Sequence, residues 1–266
     1  MSGDTRIGGV LYDIDGVLVT SWHEIDGAVD AVRRIRESGL RRAFLTNTTS
    51  RTCDEIAERL RAAGFDVDAE EIVTAARLTG EYVGRHYPDA SIWVLNHGDI
   101  RADLAALTLD DEHPDVIVIG GAGAEFTHRA LSRVVELMLD GVPVVAMHSG
   151  LTWATDDGLR IDAGAYLPGL EAAGNAEITV VGKPAAAGFR TCADLMGLDP
   201  SEVLMIGDDL HSDVLAAQQV GMTGVLVRTG KFRPGVLAAA STAPDHVIDS
   251  VVELPALLKG LPNRRK

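Results

Sequence analysis

The stretch "GGVLYDIDGVLVT", residues 8–20, decides how this chain is read. It is an apolar run with the length and β-branched content of a buried strand, yet Asp13 and Asp15 stand near its middle and Gly16 follows at once. Side chains two residues apart on a strand share a face, so the spacing predicts neighbouring carboxylates. Two such groups repel each other, and burying either one unpaired is costly. A solvated Asx-type turn at "DIDG" is the plain alternative, but the apolar residues on both sides give a turn no reason to be there. The other reading is a cation site. Two carboxylates this close both ionise only beside a positive charge, and all-oxygen ligation suits Mg2+.

Working outward, polar residues end an apolar run at three further places. These are Thr46-Asn47 in "AFLTN", Lys183 in "ITVVGKP", and Asp208-Asp209 in "EVLMIGDDLHSD". In open α/β sheets, ligands bind beyond the carboxyl ends of the strands. If these four ends are neighbours in one sheet, they converge on one spot. Each has an ordinary explanation by itself: Asp208, Asp209 and Asp213 as first-turn helix acids, Lys183 as a loop lysine, Thr46 and Asn47 as strand-end and cap residues. Together they form a hard-cation site with Lys183 as counter-charge to a carboxylate and a phosphoryl oxygen. Thr46, Asn47 and their amides then supply donors for phosphate oxygens.

Strand-like and helix-like segments alternate along the chain, which predicts an α/β fold with a mostly parallel sheet. Val29, Val32 and Ile35 mark a helix over 27–38, and Thr52 with Glu55 reads as a capping box opening a helix over 53–63. A further helix is expected over 72–85. Beyond Pro88 the alternation restarts, with strands near 91–96, 113–121 and 142–148, a helix over 126–139, and a hairpin in "LTWATDDGLRI" turning at Asp157-Gly158. Helices are expected over 165–173, 185–196 and 211–220, strands over 177–182 and 223–230. The tail "GLPNRRK" reads as disordered.

The chain has 266 residues, 46% hydrophobic and 24% charged, ordinary values for a soluble globular protein. Its net charge of −15, from 39 acidic and 24 basic residues, repels nucleic acid and anionic membranes, so neither is an expected partner. The same field repels an anionic substrate at long range, so a phosphate site must be built locally. Only four lysines occur, Lys183, Lys231, Lys259 and Lys266, which singles out any that lies in the interior. No apolar stretch is long enough to span a bilayer, and "MSGDTRIGG" lacks the features of a signal peptide. Cys53 and Cys192 are too few for a disulfide framework. A cytoplasmic, reduced protein is expected. "VIVIGGAGAEF" suggests a dinucleotide loop, but after Gly121 and Gly123 the third glycine is replaced by Phe126, and Asp140 does not end the next strand.

The order D-x-D, Thr, Lys, G-D-D-x-x-x-D resembles the haloacid dehalogenase superfamily, with "YDIDG", "FLTN", "VVGKP" and "MIGDDLHSD" matching its four motifs in sequence. The long segment between the second and third motifs resembles the cap of the NagD-like branch. "DGVPVVAMHSG", "DDGLRIDAGAY" and "RTGKFRPG" look closest to the group that includes the phospholysine phosphohistidine inorganic pyrophosphate phosphatases. The resemblance implies a Rossmann-like parallel-sheet core over 1–75 and 180–266, with an inserted α/β C2-type cap over 76–179. It implies a Mg2+-dependent phosphatase acting on a small phosphorylated substrate. Asp13 would be the nucleophile that forms an aspartyl-phosphate, and Asp15 the general acid and base. Asp13, the Asp15 backbone carbonyl and Asp208 would hold the metal. Asp209 and Asp213 would orient the site and Lys183. Gly16, Thr46, Asn47 and Lys183 would bind the phosphoryl group. Many NagD-like caps carry Thr-Asn where this chain has Met147-His148, so His148 is either a cap contact to substrate or a strand-end histidine. A homodimer through the cap is also implied. Transfer to an acceptor other than water, and a non-catalytic phosphate-binding module, stay as alternatives.

Overall fold

The computed structural model describes residues 6–155 and 158–261. The chain divides into two units. One gathers the chain up to Thr46, Asp54–Val73 and the chain from Lys183 onward; the other gathers Asn47–Cys53 and Thr74–Gly182.

In the first unit, the apolar runs form a six-stranded sheet in the order His246–Ile248, Thr223–Val227, Val203–Gly207, Gly9–Asp13, Arg41–Thr46, Ile72–Thr74. Gly9–Asp13 pairs in parallel on both sides, Tyr12 opposite Ile206 and Phe44, and Asp13 opposite Leu45. A central strand of a parallel sheet is covered on both faces, which is why "GVLYD" is buried along its whole length. Helix Ala28–Glu37 buries Ala28, Ala31, Val32 and Ile35, the helical stripe expected from the sequence. Gly39 follows it with φ 81°.

The second unit holds a five-stranded parallel sheet in the order Thr179–Val180, Val144–Ala146, Val116–Ile119, Ser91–Leu95, Thr108–Leu109. Helices His128–Leu139 and Leu167–Gly174 pack against an apolar cluster containing Ile117, Ile119, Val134 and Leu170. Thr152–Thr155 and Gly158–Ile161 form the expected antiparallel hairpin. Its turn position Asp157 lies outside the described residues, as do residues 262–266 of the expected disordered tail.

Three expectations need correction. Ile72–Thr74 is a strand, and the helix runs over Ala75–His86. Three consecutive β-branched residues favour extended backbone, and Thr74 caps the helix by accepting from the Arg77 N–H at 3.0 Å. The segment expected as one helix over 211–220 is π-helical over Leu210–Leu215 before Ala216–Gln219. Third, the four polar strand ends are not all in one sheet. The strand before Lys183, Thr179–Val180, belongs to the second unit's sheet, whereas Lys183 itself belongs to the first unit.

Candidate active site

Three adjacent strands of the first unit's sheet end in the singled-out residues: Gly9–Asp13 at Asp13, Arg41–Thr46 at Thr46, and Val203–Gly207 just before Asp208. Parallel neighbours in register carry these ends to one edge of the sheet. Lys183 reaches them from the chain that re-enters the unit. Its Nζ donates to Asp13 Oδ1 at 2.5 Å, lies 2.8 Å from Asp213 Oδ1, and is 3.5 Å from the Leu45 carbonyl oxygen. All three ionic partners are buried, so the pairing is made in low dielectric where an unpaired charge would be costly.

Asp13, Asp208 and Asp213 each offer an oxygen within 4.8 Å of the others. Three carboxylates thus face one ammonium in the cluster. Asp213 is engaged on both oxygens, Oδ1 by Lys183 and Oδ2 by the Asp209 N–H at 3.1 Å. Asp208 Oδ2 accepts from the Lys231 N–H at 2.7 Å, but Asp208 Oδ1 is buried with no hydrogen-bond partner among the described residues. A buried, partnerless carboxylate oxygen beside two further acids is what a hard divalent cation satisfies. The donor set therefore fits Mg2+.

Burial raises Asp13, against Lys183, which lowers it, and with Asp208 adding to the rise. Burial likewise raises Asp213 to about 6, opposed by Lys183 and reinforced by Asp13. Burial pulls the Lys183 ammonium down, but Asp13 and Asp213 outweigh it and hold the group above the ordinary lysine range. Lys183 is therefore charged, and the cluster carries an excess of negative charge.

Glycine is required at two points here. A Cβ on Gly16 would stand 2.1 Å from Asp208 Oδ2, and one on Gly230 would stand 2.0 Å from the same atom. Both residues have positive φ, 81° and 58°. The two loops close on the Asp208 carboxylate from either side, tied by the Thr229 hydroxyl donating to the Gly16 carbonyl.

Asp15 departs from the expectation. The strand ends at Asp13, and the N–H groups of Leu18 and Val19 both donate to the Ile14 carbonyl, turning the chain. Asp13 is buried while Asp15 is exposed, so the carboxylates that crowd Asp13 are Asp208 and Asp213 rather than Asp15. Asp15 keeps an open edge, yet the protein around it displaces enough water to raise its carboxyl, with Lys231 and then Lys183 pulling the other way. Asp209 caps the following segment, accepting from the N–H groups of His211 and Ser212 at 3.0 and 2.9 Å. Thr46 is buried at its strand end, whereas Asn47 falls in the second unit, near Gly182.

In the second unit, His148 is 5% exposed and its Nδ1 accepts from the Gly150 N–H at 3.0 Å. An accepting Nδ1 carries no proton, so the neutral ring bears it on Nε2, 3.8 Å from Asp162 Oδ2. Burial lowers its pKa against the pull of Asp162. His148 thus lies just past the strand Val144–Ala146 in a buried network. The glycine-rich loop after Val116–Ile119 is also committed internally. The Gly121 N–H donates to Asn96 Oδ1 and Thr49 Oγ1, and the Ala122 N–H donates to Asp162 Oδ1. Those two amides are taken and are not donors for a pyrophosphate.

Sequence patterns do not mark Lys231 or Gly230 as site residues, yet Gly230 packs on Asp208 and the Lys231 N–H donates to it. Their only signal in the sequence is the scarcity of lysine and a Thr-Gly-Lys directly after a strand. Both cysteines are buried and neither is in a disulfide. Among the described residues, no helix is long and apolar enough to cross a membrane.

Comparison with known proteins adds the following. Residues 10–110 match the family model described as haloacid dehalogenase-like hydrolase, and residues 180–254 match a second, HAD-hydrolase-like model. Phospholysine phosphohistidine inorganic pyrophosphate phosphatase of Danio rerio is 33% identical over 249 residues, covering 91% of each chain. Among solved structures, p-nitrophenyl phosphatase from Archaeoglobus fulgidus superposes with a TM-score of 0.87 at 26% identity, covering 95% of this chain and 99% of that one. NagD from E. coli K-12 gives 0.85 at 26%, covering 94% and 98%.

Proposed function

The chain belongs to the haloacid dehalogenase-like hydrolase family, as a phosphatase of the NagD-like branch, and from that premise we propose that it hydrolyses a small phosphorylated substrate through Asp13. The observation that carries this is the buried contact of Lys183 with Asp13 and Asp213 beside the partnerless oxygen of Asp208. Asp13 attacks phosphorus; a bond forms from its carboxylate oxygen, and the bond from phosphorus to the leaving oxygen breaks. Asp15, raised and open to solvent, gives its proton to that oxygen. It then takes a proton from water as the water attacks the aspartyl-phosphate, which frees Asp13 and releases phosphate. Lys183 keeps Asp13 ionised and aimed, and with Thr46 and Asn47 it binds phosphoryl oxygens.

Mg2+, held by Asp13, the Asp15 carbonyl and Asp208, would supply further positive charge against the transferring group. Asp209 and Asp213 hold the loop and Lys183 in place. Gly16 lets the backbone approach Asp208. The inserted unit acts as a C2-type cap that selects the substrate. Pairing through that cap and a cytoplasmic location complete the proposal.

The test is release of inorganic phosphate from an aryl phosphate with Mg2+ present, repeated with Asp13→Asn. Activity in the parent and its loss in the variant are expected. Undiminished turnover by Asp13→Asn would overturn the mechanism. A panel containing sugar phosphates, nucleotides, pyrophosphate and phosphorylated side-chain analogues then ranks substrates.

A further inference from the structure

Lys231 is a cation near the acids that the mechanism leaves unused. It is one of four lysines in a chain of net charge −15. Gly230 beside it packs against Gly16 and Asp208, and its own N–H donates to Asp208 Oδ2 at 2.7 Å, so the origin of its side chain is fixed against the site. The side chain itself is exposed. Among the described residues, no carboxylate lies within ion-pair distance of its ammonium, in contrast to Lys183 with its contacts at 2.5 and 2.8 Å. Its charge still reaches the acids. After burial it is the largest influence on Asp15, and it acts on Asp13 and Asp208 as well. With Asp208, His211, Phe232 and Arg233 it lines a cavity of about 190 Å³.

A lysine serving only to neutralise an acid gains most by closing onto it, as Lys183 does. Lys231 stops short of such a contact on a residue that stays exposed, so its donors are available to an incoming anion. Its neighbour Gly230 packs on Gly16, the residue that follows Asp15, and Asp15 is assigned to protonate the leaving oxygen; this contact sets Lys231 on the leaving-group side of phosphorus. In a chain whose surface repels anions, a local cation at that place, with Arg233 lining the same cavity, discriminates between leaving groups by charge.

We propose that Lys231 is a specificity-determining residue that receives a second anionic group on the leaving portion of the substrate, so that phosphoesters whose leaving group carries its own carboxylate or phosphate are preferred over those with a neutral one. The inference rests on the roles given above to Asp13 and Asp15.

Two measurements test it separately from those roles. The first compares kcat/KM for 3-phosphoglycerate and sn-glycerol 3-phosphate, matched in size and differing in one carboxylate, in the parent, Lys231→Met and Lys231→Arg. Lys231→Met should lower the ratio of the two by about tenfold or more, the scale of one charge-assisted contact. Lys231→Arg should return it to within about threefold of the parent. If Lys231 acts only by tuning Asp15, both substrates fall alike and the ratio holds, which overturns the proposal. The second measurement is calorimetric binding, with Mg2+, of phosphonoacetate and ethylphosphonate to Asp13→Asn protein with Lys231 intact or changed to Met. Weakening of phosphonoacetate alone supports the anion site even if the parent turns over no phosphoester, an outcome that would sink the phosphatase mechanism instead. Equal effects on both phosphonates overturn the Lys231 proposal whatever the turnover.

Discussion

Gly16→Ala isolates the closeness of two loops to Asp208, because the chain contains a matched control. Gly16 and Gly39 both have φ of 81°, so an alanine at either site bears the same backbone penalty, about 1–2 kcal/mol. At Gly39 a Cβ meets nothing within 4 Å. At Gly16 it would stand 2.1 Å from Asp208 Oδ2 and 2.9 Å from the Gly230 Cα. To reach even 3.0 Å the carboxylate must retreat by 3.0 − 2.1 = 0.9 Å, and the backbone of Gly230 blocks easy relief. Pushed off one loop and onto the other, the carboxylate loses the geometry of its bond from the Lys231 N–H, a hydrogen bond to a charged group worth about 1.5–3 kcal/mol. Gly16→Ala should therefore cost roughly 2.5–5 kcal/mol against about 1–2 for Gly39→Ala. A displacement of about 1 Å in a group that positions the reaction costs on the order of 100-fold in rate. Urea denaturation of both variants gives the first quantity, and kcat/KM on an aryl phosphate with Mg2+ gives the second. If Gly16→Ala is no more destabilised than Gly39→Ala and keeps its kcat/KM within about twofold, Asp208 does not have the place and role assigned to it.

Other outcomes follow from the same geometry. Lys183→Met leaves Asp13 and Asp213 buried without their cation and should destabilise by about 3–5 kcal/mol, read as a lowered urea midpoint; an unchanged midpoint would mean the ion pairs do not form. Arg42 is buried, donates to Glu71 at 2.7 and 2.8 Å and stacks over Phe44, so Arg42→Met should cost about 3 kcal/mol by thermal or urea unfolding, with kcat little changed. The Cys53 thiol is pushed up to about 11, by burial and then by Asp103, so it is protonated at pH 8 and should resist a thiol reagent in native protein while reacting in urea. With the folded value raised, the unfolded chain releases this proton first, and Cys53 should make stability fall as pH climbs from about 9 towards 11. Asp162 accepts from the Ala122 and Ala163 N–H groups at 2.9 and 2.7 Å; Asp162→Ala strands both donors and should lower stability by about 2 kcal/mol or more in the same urea assay.

Much of this was legible because it is local. The period of apolar residues in "GVLYD", "RRAFLT" and "EVLMIG" depends only on neighbouring residues, and each became a strand of one parallel sheet. A polar residue ending such a run is equally visible, which is why Asp13, Thr46, Lys183 and Asp208 could be singled out. Local rules also failed in identifiable ways. Ile72–Thr74 carries a pattern that suits a helix or a strand, and pairing at the sheet edge chose the strand. Asp13 and Asp15 obey strand spacing in the sequence, but the turn after Ile14 separates one into the interior and the other into solvent.

What the amino-acid order determined by itself was the α/β alternation and the identity of the residues that gather at the sheet's edge, since both are written in periodicities of a few residues. What tertiary structure alone decided was distance. Lys183 is 170 positions from Asp13, and the strand before it lies in the other sheet; the Gly16–Asp208–Gly230 approach joins three remote segments. The charge balance of Asp13, Asp208, Asp213, Lys183 and Lys231 follows from those separations. Coulombic interaction and desolvation depend on position in space, which no spacing along the chain encodes.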